Sequence, residues 1–210
     1  MNEMNVTENA AGRSELLSRA GALLSEGRSL LLAAKDAEGA SAAARALLDE
    51  ARSGGQKCAC INLQDVTYEE TFIHRVVNAF FDSGVARETK ETLARLLDLF
   101  LSRLENEGGP GSPAAIGADD APYRTLAESF VHDEPGLVVL DGPTLFLGAL
   151  YKETKNKNRV ARLLGWLKEL RTAPGTQVRW VLADAAGLRD FAASLGLSAM
   201  VDDLTELAAD

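Results

Sequence analysis

Histidine and cysteine are almost missing from this 210-residue sequence, which holds two of each. His74 and His132 stand far apart, each in a helical pattern with no cysteine or second histidine at ligand spacing. No zinc site is indicated, and both read as ordinary, partly buried imidazoles. Neither a Ser-His-Asp nor a Cys-His arrangement can be assembled from the spacing, so nucleophilic catalysis of that kind has no support. Cys58 and Cys60 lie two apart in a strand pattern, point to one face and are poorly placed to bridge. They read as small buried hydrophobes in a reducing compartment. Long apolar runs are also lacking, and Met1 to Ser14 has neither the basic end nor the apolar middle of a secretory signal. The expected location is the cytoplasm, without a membrane span.

Positive charge is in short supply. Lys and Arg total 22 against 31 for Asp and Glu, a net charge of −9, with a pI near 4.8. That balance argues against a broad nucleic-acid footprint, which needs clustered basic residues to neutralise phosphates. The most basic run, Tyr151 to Arg159 and on to Arg162, reads as a solvated loop, with a phosphate-backbone or acidic-partner contact as the alternative. What the chain does have is 46% hydrophobic content at a mean hydropathy of −0.06. This suits one substantial α/β domain. Residues 1–13 read as a flexible N-terminal tail and residues 14–210 as a single domain.

Strand and helix patterns alternate along that domain. Leu16, Leu17, Ala20, Leu23 and Leu24 fall at helical spacing before Gly27. Ser29 to Ala33 is a short continuous apolar run, as in a strand buried on both faces of a parallel sheet. Ser41 to Arg52, rich in Ala and Leu, predicts a helix stopped by Gly54 and Gly55. A strand over Lys57–Asn62 and helices over Glu69–Phe81, Glu88–Leu104 and Tyr123–His132 follow, with Glu107 to Pro122 as a mobile surface loop. Leu137 to Leu140, ending at Asp141, is a third strand; Arg159 to Leu170 is an amphipathic helix. Val178 to Ala183 is a fourth strand, Leu188 to Leu195 a helix, and Leu204 to Ala208 a short edge strand. The alternation predicts a three-layer α/β sandwich with a mostly parallel sheet.

Between the first strand and its helix lies Ala34-Lys-Asp-Ala-Glu-Gly39-Ala40-Ser41, which has the frame of a phosphate-binding P-loop with part of its chemistry replaced. The working motif opens on a glycine and closes on Gly-Lys followed by Ser or Thr. Here Ala34 and Ala40 stand for the opening glycine and the lysine, while Gly39 and Ser41 stay in register. Gly136-Leu-Val-Val-Leu-Asp141 supplies an apolar strand ending in aspartate. With Leu145-Phe146-Leu147, Leu163 to Leu167, and Val178 to Leu188 followed by Leu195 to Ser198, the chain resembles the P-loop domain of AAA-type ATPases of the archaeal and bacterial ATPase family.

The resemblance implies a P-loop NTPase-like fold and a nucleotide site at Lys35, Gly39, Ser41 and Asp141, where Ser41 and Asp141 would hold magnesium if ATP or ADP binds. The departures imply loss of hydrolysis. Ala40 offers no positive charge to the transferring phosphoryl group, and Gly142 stands where the family carries an acidic residue that polarises water. Asp184-Ala185 replaces the polar sensor turn, and the helical lid of the family would begin where the sequence stops. Asp36 and Glu38 put carboxylates inside the loop, where each would cost roughly 4 kcal/mol at about 4 Å from a phosphate. They are candidates to cap the helix beginning near Ser41. The expected function is a catalytically inactive P-loop module for protein interaction or regulation, with a protein partner or homodimer and no required cofactor. A nucleotide sensor that binds without hydrolysis and a weak ATPase using Lys35 are the alternatives.

Overall fold

A computed structural model of the chain describes residues 3–85, 135–185 and 187–209. Five strands form one sheet: β1 (Leu30–Ala33), β2 (Lys57–Asn62), β3 (Gly136–Asp141), β4 (Val178–Asp184) and β5 (Thr205–Ala208). Their order is β2-β3-β4-β1-β5, and each pairing is parallel. The helices are α1 (Glu3–Ser25), α2 (Ala37–Ser53), α3 (Glu69–Ser83), α4 (Pro143–Thr154), α5 (Lys157–Thr172) and α6 (Leu188–Ser194), with a 3₁₀ turn at Ser198–Met200. No described helix is long and apolar enough to cross a membrane.

The two-residue period of the strands sorts their side chains into two layers. Leu30, Leu32, Leu137, Val139, Val181 and Ala183 face α1 and α2. Leu31, Ala59, Ile61, Val138, Leu140 and Leu182 face the opposite way, into a core with Phe72, Phe146, Leu163 and Trp166 from α3, α4 and α5. This is the expected three-layer α/β sandwich. Buried on both faces, β3 is covered at all six positions, which explains its continuous apolar run. Phe72 stacks on Phe146 with ring centroids 4.9 Å apart and meets Trp166 edge-on at 5.8 Å. Such pairs add about 0.5–1.5 kcal/mol each beyond their burial and lock the three helices together.

From β1 the chain crosses to the far edge at β2, returns through β3 and β4, and passes β1 to reach β5. Because parallel crossovers keep one hand, reversing direction puts α2 on one face and the returning helices on the other. The carboxyl ends of β1, β3 and β4 therefore meet at a crevice of the kind where open α/β sheets hold ligands. The Arg171 guanidinium fastens the lead-in to β5 by donating twice to Asp203, both at 2.9 Å.

Several local expectations are corrected. The first helix begins at Glu3, so the segment read as a tail is helical from there. The basic run read as a loop is mostly helix, with α4 ending at Thr154 and α5 starting at Lys157. Pro143 occupies the first turn of α4, where its missing N–H costs nothing, and this was the signal for that helix. Cys58 is buried as expected, whereas Cys60 is exposed on edge strand β2; both are free. His74 is exposed and hydrogen-bonds Asn78. The helices expected over Glu88–Leu104 and Tyr123–His132, the loop over Glu107–Pro122, and His132 lie outside the described residues.

Candidate functional site

Only Ala34, Lys35 and Asp36 separate β1 from α2, because the helix starts at Ala37 and not near Ser41. Asp36 is the cause. Its backbone is extended (φ −145°, ψ 165°), and its Oδ1 accepts the Gly39 N–H at 2.7 Å. A side-chain oxygen in that position satisfies a helix donor that has no intrahelical partner. The carboxylate also gains from the positive end of the helix dipole, as does Glu38 in the first turn. The N-terminus of α2, a kind of position that binds anions, thus carries the chain's own carboxylate.

The earlier start also turns the motif positions. Ala40 is 1% exposed and packs in the α2-side core with Leu30 and Leu32, so the position of the motif lysine points into the sheet. Ala34 is covered, and its N–H donates to the Asp184 carbonyl at 3.1 Å. A Cβ on Gly39 would stand 3.3 Å from Asp36 Oδ1 and 3.5 Å from the Ala34 methyl, which leaves the turn closed over itself. Lys35 is exposed in the same loop.

Ser41 and Asp141, the pair that the resemblance would set around magnesium, lie in contact. Ser41 Oγ donates to Asp141 Oδ2 at 2.7 Å, and Asp141 is buried at the end of β3. Between them sits Gln64, which no sequence motif singles out. Its Nε2 donates to Ser41 Oγ at 3.0 Å and lies 3.4 Å from Asp141 Oδ1. The Asn62 side chain, at the end of β2, fixes this arm by accepting the Gln64 N–H at 2.9 Å. An amide donor aimed at the two oxygens takes the lone pairs that a magnesium ion would need.

Gly142 follows Asp141 in the left-handed region, φ 78° and ψ 40°, and its N–H donates to the Ala183 carbonyl at 2.9 Å. A Cβ here would fall 2.8 Å from Gln64 Cγ. The backbone and its neighbour together demand glycine, so an acidic residue at this position would require both to rearrange.

At the end of β4, Asp184 is 3% exposed. It accepts the Thr144 hydroxyl at 2.5 Å and backbone N–H groups of Thr144, Ala185 and Leu188. One carboxylate therefore caps the starts of α4 and α6. Burial pushes its carboxyl above the usual carboxylate range, and the hydrogen bonds pull partly back. Sequence reasoning placed Asp184 in a sensor turn and missed this double cap.

The carboxyl edge of the sheet is thus lined by Asp36, Asp141 and Asp184, each already committed to hydrogen bonds within the chain. These residues do not fit a magnesium triphosphate: the helix start carries an anion, the lysine position is core, and the Ser-Asp pair is closed by Gln64. Among the described residues no group of three or more His, Cys, Asp and Glu side chains is placed to hold a metal ion. No family model, curated protein or solved structure matches the chain.

Proposed function

We propose that this chain is a catalytically inactive, P-loop ATPase-like domain that serves as a protein-interaction or regulatory module. The observation that carries this reading is the Asp36 carboxylate on the Gly39 N–H, which supplies internally the anion that a working loop takes from its substrate. Asp36, Ser41, Gln64, Asp141 and Asp184 all hydrogen-bond within the chain, and such a site is a rigid scaffold with little left to give a ligand. Leu145, 50% exposed, is the one large hydrophobic exposed among the described residues. A partner engaging these surfaces would meet mostly polar groups, which suits a reversible complex better than an obligate homodimer.

The test is a thermal melt of the full chain with Mg-ATP and Mg-ADP, run beside a phosphate-release assay. A ligand that binds only the folded state raises the midpoint, by about 2.7 kcal/mol of stability at a hundredfold excess over Kd. No shift at millimolar nucleotide and no phosphate release are expected. A saturable shift without release would replace this reading with a nucleotide sensor. Release abolished by Lys35→Ala would replace it with a weak ATPase.

A further inference from the structure

At the opposite end of the sheet from the closed site, a cleft of about 340 Å³ opens between α1 and α2. Its floor is Leu137 at the start of β3, and its walls include Leu17 and Leu24 from α1 and Leu47 from α2. Gly21 lies on the α1 wall between the two leucines, with open space where a side chain would stand. A glycine inside a helix is costly for the helix, and here it widens the opening. The volume sits at the lower end of the range of small-molecule clefts, roughly 300–1,000 Å³.

Two charged residues line this mostly apolar space, half-buried Arg179 and exposed Glu50. Arg179, at the start of β4, donates Nη1 to the Thr176 carbonyl at 2.7 Å, and its guanidinium passes by Gly27, where a Cβ would come within 3.4 Å of Nη2. No carboxylate of the described chain pairs with it. Among the described residues nothing hydrogen-bonds its Nε or Nη2. Glu50 stands exposed at the rim, where solvent screens it.

We propose that this cleft binds a small carboxylic acid with an unbranched apolar tail, the carboxylate on Arg179 and the tail over Leu137 between the leucines of α1 and α2. An unpaired guanidinium beside apolar walls is the complement of such a molecule, and of neither a cation nor a short polar anion. The site is separate from the Ser41–Asp141 network and does not depend on the function proposed above.

The experiment is calorimetric titration of the full chain with octanoate, using octylamine and acetate as comparisons. Saturable octanoate binding is expected, with neither comparison binding. R179Q should weaken octanoate at least about tenfold, the loss of one charge-assisted contact. G21L should also abolish binding by filling the mouth while replacing a poor helix former, so its melting temperature holds or rises. No saturable octanoate binding overturns the proposal, as do octylamine binding equally well and R179Q or G21L binding like the parent.

Discussion

Placing a lysine at position 40, Ala40→Lys, should damage the fold without creating a nucleotide site. Position 40 is 1% exposed in a core with Leu30, Leu32 and Leu47. A buried lysine amine falls to a pKa of about 5–6, against about 10.4 in an open chain. The folded protein must then keep the amine neutral at about pH 7, which costs about 4.6 kcal/mol, about 1.36 for each unit between 7 and 10.4. Forcing the methylenes into a filled core adds about 1–3 kcal/mol. Together these consume much of the roughly 5–15 kcal/mol that holds a domain folded.

The sign of the pH dependence follows from the same shift. Folding depresses the amine, so the unfolded chain binds the extra proton, and stability rises with pH between the folded and unfolded values. About 2.7 kcal/mol should return between about pH 7 and about pH 9. Ala40→Met, long but uncharged, should cost only about 1–3 kcal/mol and show no such slope. Urea unfolding followed by circular dichroism at both pH values measures this. An A40K protein as stable as the parent at about pH 7, with its midpoint raised by Mg-ATP, would refute the argument: the amine would then be reaching a phosphate site.

Gly142→Ala should lose about 1–2 kcal/mol for the left-handed backbone, plus the displacement of Gln64 from a Cβ placed 2.8 Å away; an unchanged urea midpoint would remove the reason for glycine there. Asp36→Ala should cost about 1 kcal/mol by uncapping α2, a fall of about 2–4 °C in melting temperature for a chain of this size, and an unchanged melt would show the cap to be idle. Asp184→Asn tests the buried carboxyl. Its raised pKa means that the folded state holds the proton longer, so this group's contribution is full below the ordinary carboxylate range and is lost as pH climbs out of it. The stability advantage of the parent over D184N should therefore shrink as pH rises above the ordinary carboxylate range, and a flat or growing difference would contradict the assignment.

Much of the sheet is legible in the sequence. Strands buried on both faces carry continuous apolar runs, and β2 falls at Lys57–Asn62 as its pattern predicts, while β3 extends the predicted Leu137 to Leu140 by one residue at each end. Gly54 stops α2 as its place after the last apolar turn suggests. The start of α2 is misjudged for a physical reason: the motif frame draws attention to Ser41, whereas the deciding contact is Asp36 on Gly39, a capping signal three residues apart. The resemblance puts Ser41 and Asp141 at one site, but their direct bond depends on how the loops after β1 and β3 are placed in the fold. Gln64 and the double cap at Asp184 are not legible, because each depends on tertiary placement of loops that no local pattern encodes. The α4 helix has little contrast between its faces, and the basic residues beyond it mask where it ends.

The account rests on a loop whose anion place is already filled, and the Gly39 amide reports on that place directly. In a nitrogen–proton correlation spectrum of the full chain, adding millimolar Mg-ATP should leave the Gly39 resonance where it is, held by Asp36. A saturable shift of that resonance, with Asp36 displaced from it, would contradict the account.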